Sequence, residues 1–383
     1  MKLNLFNFIS IFTVVFMNSL GSSKSLNESE PLSFVGRITR HAEVSSYLTF
    51  KSDEELSKSL MEAESLGSGI GGQTSKFEIN SIPVFIKRIP LTKIEKIAGL
   101  GSSSNIFNLP LFYQYGVGSK GFGAWRELNS HIKASNWVLN SENQHFPILY
   151  HWRVLPKVAQ LKITKEEQVK LNEYIQYWGG SESLRAKEEA LHDAEVEIVL
   201  FLESIPMSLG KWLKDSWKDD QKLKSCEEQI QTVLTFMHSK GVYHFDSHFH
   251  NVLTDGFSLY FTDFGLTTDL DFDLSQEERT FISHHENYDI ALSMRSLVVH
   301  ILRNASMGLG IEINNAEILK IVDNDSSIAL SSAANEIVKR WASTAVIISD
   351  FLDALTADQT KQIKFPQVEL EKTIPKTYCS SNL

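Results

Sequence analysis

The fold is decided by the stretch Val242-Tyr-His-Phe-Asp246-Ser-His-Phe-His-Asn251 and by the segment Val252–Gly265 that follows it. Within that segment, two short apolar runs flank Asp255-Gly256, a pattern that favours a β-hairpin. A hairpin returns the chain on itself. Asn251 and Asp263, which bracket it, are therefore predicted to lie side by side at its open end.

The side chains at this hairpin suit phosphoryl transfer. The amide oxygen of Asn251 and the carboxylate of Asp263 are hard oxygen ligands, as Mg²⁺ prefers when it is held together with substrate phosphates. Asp246 precedes Asn251 on the loop that enters the hairpin. We expect it to act as the catalytic base, because a carboxylate near the metal can accept the proton of an attacking hydroxyl.

A glycine cluster lies upstream, at residues 66–72, before two runs with strand patterns at 76–79 and 82–88. Glycines let backbone N–H groups approach phosphates without obstruction by Cβ atoms. The cluster is therefore predicted to contact the phosphates of a nucleotide through Gly67, Gly69 and Gly72.

Two charged residues complete the candidate site. Lys87 ends the second strand run and would supply a cation for the non-transferred phosphates. Glu127 lies in a helix predicted over residues 121–140, and it is the natural partner to hold that lysine in place.

The rest of the sequence predicts both strands and helices. Strands are predicted at 146–150 and 197–202, with a helical insertion at 157–194 between them whose first helix starts with a capping box at Thr164-Lys-Glu-Glu167. A second capping box at Ser225-Cys-Glu-Glu228 predicts the start of a helix that ends at Lys240-Gly241. Further helices are predicted at 290–301 and beyond, so the fold class is α+β.

Composition narrows the classes of function. Of 383 residues, 42% are hydrophobic, as in a globular protein, and 47 acidic residues against 37 basic ones give a net charge of −10. A nucleic-acid binder would normally carry a basic excess, so none is expected as a partner. Two distant cysteines support neither a disulfide framework nor a cysteine-based zinc site.

The N-terminal segment 1–24 has the order of a secretory signal: Lys2, an apolar run at 8–17, and then small residues. The run is short for a membrane span, which needs roughly 20 residues. The alternative is an apolar segment that packs on the domain. No later stretch is apolar enough to span a membrane, so we expect no membrane-spanning helix in the rest of the chain.

The ordered set of motifs resembles the eukaryotic-like protein kinase superfamily over roughly residues 60–304. That family has a Gly-rich loop, V-A-I-K, a helix glutamate, H-R-D-x₄-N and D-F-G. The H-x-D-x-H-x-x-N string is also similar to the aminoglycoside and choline kinase branch. The matching positions here are Gly67-x-Gly69-x-x-Gly72, Val84-Phe-Ile-Lys87, Glu127, His244-Phe-Asp246-x₄-Asn251 and Asp263-Phe-Gly265.

The resemblance implies a bilobal fold, with a small β-rich N-lobe, a larger helical C-lobe and ATP in the cleft. It implies that Lys87 contacts the α- and β-phosphates, that Glu203 and Ile205 lie near the adenine, and that Asp289 braces the catalytic loop. The corresponding divisions are an N-terminal segment at 1–24, an extension at 25–60, an N-lobe at 61–205 containing the 157–194 insertion, a C-lobe at 206–350 and a tail at 351–383.

Three departures from the family pattern affect the expected regulation and acceptor. Phe245 replaces the arginine that pairs with a phosphorylated activation loop, which argues against control by phosphorylation of that loop. His248 stands in place of a lysine that steadies the γ-phosphate. No Ala-Pro-Glu follows Gly265, and the short acidic segment 266–285 suggests that the usual peptide platform is absent or that the substrate is unusual.

The sequence leaves several functions open. Serine or threonine hydroxyls of a protein are the favoured acceptors, because Asp263-Phe-Gly265 is typical of protein kinases. The alternatives are a small-molecule kinase, a pseudokinase that scaffolds partners, and transfer of a nucleotidyl group onto protein. A rival interpretation is a zinc or iron site formed by the alternating His244, Asp246, His248 and His250. Use of ATP favours the cytoplasm, whereas the N-terminus suggests export into another compartment or cell.

Overall fold

A computed structural model describes residues 32–69, 72–99, 101–157 and 164–375. The predicted N-terminal signal, the start of the extension, the tip of the glycine cluster and the end of the predicted tail lie outside the described residues. The described part is a mixed α+β structure with thirteen α-helices and a five-stranded antiparallel sheet. The predicted α+β class is therefore confirmed.

Two helices form the extension that precedes the sheet. They are α1 (Phe34–Thr49) and α2 (Asp53–Glu62), capped by the hydroxyls of Ser33 and Ser52. Val44 and Leu48 of α1 are wholly buried and belong to the main core. The sequence indicated only an extension here, because the apolar positions are few and sit among polar residues. The helices gain their stability from packing on the sheet rather than from their own composition.

The sheet has the strand order β1-β2-β3-β5-β4. Its strands are β1 (Glu64–Gly69), β2 (Gly72–Ile79), β3 (Ile82–Leu91), β4 (Leu149–Pro156) and β5 (Val196–Glu203). The strand predicted at 146–150 was placed too early. Pro147 offers no N–H for a ladder, and Phe146 is instead buried against the helical half of the molecule.

Four helices lie between the sheet strands. They are α3 (Lys93–Ala98), α4 (Ala124–Leu139), α5 (Lys165–Tyr177) and α6 (Glu182–His192), and a 3₁₀ turn at Leu111–Gln114 precedes α4. Trp125 and Leu128 of α4 pack on the buried face of β5. The capping box at Thr164 is confirmed, as is the helical hairpin that it begins.

The second half is mostly helical. Two small sheets lie in this half. One contains β6 (Met207–Ser208), β8 (Val252–Thr254) and β9 (Leu259–Phe261), and the other pairs β7 (Val242–Tyr243) with β10 (Thr268–Asp269). The predicted hairpin is thus confirmed as β8–β9. The helices are α7 (Leu209–Ser216), α8 (Asp220–Ser239), α9 (Gln276–Ser283), α10 (Tyr288–Ala305), α11 (Asn315–Val322), α12 (Ser332–Ala357) and α13 (Gln367–Thr373).

Two boundaries predicted in this half were wrong. Helix α8 is capped by Asp219, whose carboxylate accepts from two backbone N–H groups, so Ser225 lies inside the helix and caps nothing. Helix α12 runs through the boundary predicted at residue 350, and Phe365 and Leu370 beyond it are buried in the main core. The part of the tail that the structure describes is therefore integral to the fold.

Candidate active site

Lys87 lies at the centre of the site. Strand β3 places it between β2 and β5, where it pairs with Thr74 and with Leu200. Its Nζ lies 2.6 Å from Glu127 Oε1 and 2.6 Å from Asp263 Oδ1. The structure thus brings together three of the predicted site residues from a strand, a helix and a loop that are far apart in the sequence.

The charges of this cluster are strongly coupled. Burial alone would lower the pKa of Lys87, but the two carboxylates beside it raise that pKa, so the ammonium stays charged. Burial opposes ionisation of Asp263, yet the Lys87 charge lowers its pKa to about 2. Burial outweighs Lys87 at Glu127, whose pKa is raised. Asp263 is therefore the more exposed anion of the cluster, with its side chain 40% exposed against 5% for Glu127.

Asp289, on the first turn of α10, braces the loop that carries Asp246. Its carboxylate accepts from the backbone N–H of His244 and of Phe245, each at 2.7 Å, and His238 Nε2 lies 3.1 Å away. Phe245 has a φ of 59°, in the left-handed region that costs energy for a large side chain. The two backbone hydrogen bonds offset that strain and fix the position of the next residue. The role expected of Asp289 is consistent with this geometry.

Asp246 and Asn251 are in direct contact. Asn251 Nδ2 donates to Asp246 Oδ2 at 2.7 Å and to the Asp246 carbonyl at 3.0 Å. Both hydrogen bonds use the amide nitrogen, which leaves the amide oxygen for a cation. Burial, assisted by the Asp263 charge, raises the pKa of Asp246 to about 7. A carboxylate with this pKa is suited to act as a base near neutral pH.

Asp263 leaves β9 with a φ of 61° and begins a 3₁₀ turn at Phe264–Leu266. The Phe264 ring is buried and packs edge-on against His131, with centroids 4.8 Å apart, and against His244 at 5.6 Å. The aromatic packing holds the turn against α4 and the catalytic loop. The Asp263 carboxylate is therefore oriented toward Lys87 by the position of its neighbour in the core.

The predicted phosphate-binding glycines lie on the β1–β2 hairpin. Gly69 pairs with Gly72 across its tip, and Gly67 sits at a register shift with a φ of 111°. Further along β2, Thr74 pairs with Lys87. A Cβ on Gly72 would overlap the Arg88 carbonyl, so this glycine is needed for close approach of β2 to β3. Contact with phosphates stays a prediction for all three.

The residues predicted near the adenine lie at the end of β5. Glu203 is buried, and its carboxylate is already paired with Arg37 of α1, whose Nη2 lies 2.6 Å from Oε2. Arg37 also donates to the Phe146 and Gln144 carbonyls. The Glu203 side chain is therefore already paired with α1 of the extension and is not free to contact an adenine. Ile205 is buried beside it and is apolar, as an adenine contact would require.

The rival transition-metal interpretation is not supported. Among the residues that the structure describes, no three His, Cys, Asp or Glu side chains are placed to hold a metal ion. His244 Nε2 lies 3.0 Å from the Thr262 carbonyl and is engaged in the core. The predicted Mg²⁺ pair, an amide and a carboxylate, is a different kind of site and stays a prediction.

Two cavities lie away from these residues. One of about 340 Å³ lies beside α9, and one of about 790 Å³ lies between α10, α11 and α12. Neither is lined by Lys87, Asp246, Asn251 or Asp263. The candidate site is therefore distinct from both of these cavities.

Sequence reasoning missed two sets of residues at this site. Arg126 Nη2 lies 2.7 Å from Glu278 Oε1, and Lys133 Nζ lies 2.7 Å from Asp269 Oδ2, so both tie α4 to the segment after Gly265. The segment 113–123 also lies against Asp246 and Gly265. Its four glycines in Gly116-Val-Gly-Ser-Lys-Gly-Phe-Gly123 were a signal that could have drawn attention to it.

In comparisons with known proteins, no family model matches the chain and no curated protein is significantly similar to it. Within the described ranges, no helix is both long enough and apolar enough to cross a membrane. The observations that bear on function are therefore the geometry of the candidate site and the sequence motifs that contribute its residues.

Proposed function

We propose that the protein is an ATP- and Mg²⁺-dependent phosphotransferase with a bilobal protein kinase-like fold, which moves the γ-phosphate of ATP to a hydroxyl. The observation that carries this proposal is the cluster of Lys87, Glu127 and Asp263, with Asp246 and Asn251 beside it. Phosphoryl transfer requires positioning and neutralisation of charge, and this cluster offers groups for both.

Each residue has a distinct part in the proposed reaction. Lys87 binds the non-transferred phosphates, and Glu127 orients the Lys87 ammonium. The Asn251 oxygen and the Asp263 carboxylate fit the oxygen-ligand chemistry of Mg²⁺. Bound MgATP supplies the phosphoryl group. Asp246 accepts the proton of the attacking hydroxyl, and the pKa of about 7 supports that part.

Two features support an active enzyme over a pseudokinase. The four residues that would act on nucleotide and metal are all present, whereas loss of one of them is the usual mark of a pseudokinase. The bridges from Arg126 and Lys133 also hold α4 against the segment after Gly265, so Glu127 reaches Lys87 in the unmodified chain. The proposed enzyme needs no phosphorylated loop, in line with Phe245 at the arginine position.

The test is transfer of label from γ-labelled ATP by the wild-type chain and by Asp246→Ala. We expect the variant to lose transfer while it largely keeps Mg²⁺-dependent nucleotide binding, because Lys87, Asn251 and Asp263 all remain. Equal transfer by the variant would remove Asp246 as the base. Label that passes to an acceptor from α-labelled instead of γ-labelled ATP would favour nucleotidyl transfer on the same site.

A further inference from the structure

A glycine-rich segment crosses the acceptor side of the site. We give the name glycine-rich wall to residues 113–123, which run from the end of the 3₁₀ turn to the start of α4. A Cβ built on Gly116 would overlap Asp246 Oδ1, and one built on Gly121 would overlap the Gly265 carbonyl. Only the absence of side chains at these two positions lets the wall lie so close to the base and to the turn after Asp263.

The wall closes one side of the catalytic base. Asp246 Oδ1 is buried and accepts no hydrogen bond from any residue that the structure describes. Gly116 lies on one side of this oxygen, and His248 Nε2 lies 3.5 Å away. The Asp246 side chain as a whole is 18% exposed. Only a small part of the Asp246 side chain is therefore accessible to an acceptor.

The helical hairpin α5–α6 holds the wall from outside. Tyr174 Oη donates to the Gly118 carbonyl at 3.1 Å, and Tyr177 Oη donates to the Val117 carbonyl at 2.9 Å. Lys187 Nζ donates to the Gly121 carbonyl. Tyr113 is wholly buried and packs edge-on against Trp178, with ring centroids 4.8 Å apart. The wall is thus part of a packed core and not a lid over the site.

The helical half holds the wall from the other side. Tyr115 Oη lies 2.5 Å from His285 Nε2, and the Tyr288 hydroxyl hydrogen-bonds to the backbone of Gly116. Gln114 Nε2 donates to the Leu266 carbonyl. The wall is anchored on both of its faces, so its distance from Asp246 is fixed by packing.

The backbone after the turn offers little strand edge to an extended peptide. After the turn, Thr268 and Asp269 of β10 pair with Tyr243 and Val242 of β7. The Leu266 carbonyl is taken by Gln114. Docking of an extended peptide depends on free backbone groups at a strand edge or on a groove of matching length. In the segment between Asp263 and α9, the one strand is β10, and its open edge is only two residues long.

We propose that the glycine-rich wall restricts the acceptor to a small hydroxyl compound and excludes polypeptides. This inference rests on the proposed phosphotransferase function and narrows its acceptor. A reacting hydroxyl must come within about 2.6–3.2 Å of the base. A serine or threonine within a polypeptide would bring backbone on both sides of its side chain to the same place, where Gly116 and His248 stand.

The experiment offers γ-labelled ATP and Mg²⁺ to the full chain with two sets of acceptors. One set contains polyols, amino sugars, choline, nucleosides and free hydroxy-amino acids. The other contains unfolded proteins and peptides rich in Ser, Thr and Tyr. Gly116→Ala adds one methyl group at the wall, and Gly36→Ala adds the same group on α1 as the matched control. Melting with and without MgATP shows whether each variant folds and binds nucleotide.

We expect label on a small compound from the wild type and from Gly36→Ala, and none above background on the proteins. Gly116→Ala should lose transfer by roughly 100-fold, as misplacement of a catalytic group does, while its MgATP-dependent melting shift persists. Label on proteins at a rate equal to or above that on small compounds would overturn the inference and leave the phosphotransferase function standing. Nucleotide binding with label on neither set would contradict both.

Discussion

Arg126 Nη2 lies 2.7 Å from Glu278 Oε1, and both side chains are almost wholly buried. This pair joins α4, which carries Glu127, to α9, which follows the turn after Asp263. Lys133 forms a second bridge from the same helix, to Asp269 and Asp271. Charges of opposite sign therefore hold α4, and with it the Lys87 partner Glu127, in place.

We predict that Arg126→Met destabilises the fold by about 3–5 kcal/mol, the cost of leaving a buried charge unpaired. Transfer should also fall by roughly 10- to 100-fold, because α4 no longer fixes Glu127 against Lys87. Urea unfolding and transfer of label measure the two effects. Arg279→Met, at an exposed position on α9, is the control and should leave both unchanged. Phosphatase treatment that abolished transfer by the wild type would contradict the proposed role of the bridge.

Variants at Lys87 and Glu127 distinguish the effect of this ion pair on stability from its effect on nucleotide binding. Lys87→Met leaves the Glu127 carboxylate buried without its cation, so we expect a lower melting temperature and loss of MgATP binding. Adding Glu127→Leu removes the stranded charge and should restore most of the stability without restoring binding. Thermal melts with and without MgATP test this. Lys76→Met, which breaks an exposed pair with Glu64, is the control. Nucleotide binding that survives in Lys87→Met would argue against the role given to this lysine.

The raised pKa of Asp246 predicts opposite trends for activity and stability. The rate of transfer should rise as the pH passes through about 7, since the base must be ionised. Between the unfolded pKa near 3.8 and about 7, the folded protein retains a proton that the unfolded chain has lost. The contribution of this group to stability is thus fully present at low pH and is lost as the pH rises through that window.

Asp246→Asn removes the cost of burying that charge. We expect the variant to melt at a higher temperature than the wild type at pH 8 and to show a much smaller difference at pH 4. Melting curves across that range measure it, with Asp215→Asn at an exposed position as the control. A constant difference at all pH values would show that Asp246 does not titrate as described.

The short-range features of the site could be predicted from the sequence. Asn251 and Asp263 bracket a hairpin that Asp255-Gly256 specifies locally, and a β-rich run places Lys87 on a strand. The contacts of Glu203 and Gly116 could not be predicted, because they depend on Arg37 and Asp246, which are distant in the sequence. No periodicity indicates which distant residue a side chain meets. Helix α9 was missed for a different reason: its segment reads as acidic and carries few apolar residues, although Ser275 and Glu278 form a capping box at its start.

The Arg37–Glu203 pair predicts that the extension is required for folding. Arg37→Met should destabilise the chain by about 3–5 kcal/mol, because Glu203 would remain buried without its partner. Arg40→Met is the matched control. Arg40 also approaches Glu203, at 3.5 Å, but its side chain is 29% exposed, so its loss should cost less than about 1 kcal/mol. Urea unfolding measures the loss of stability in both variants, and equal losses would contradict the prediction.

The measurement that tests the central claim most directly is the melting temperature of the full chain with ATP and Mg²⁺ together and with each alone. If Lys87, Asn251 and Asp263 hold a nucleotide through a divalent ion, ATP with Mg²⁺ should raise the melting temperature by several degrees. ATP without the metal should have a much smaller effect, and Asp263→Asn should lose the metal-dependent part. A melting temperature that neither ATP nor Mg²⁺ shifts would contradict the account.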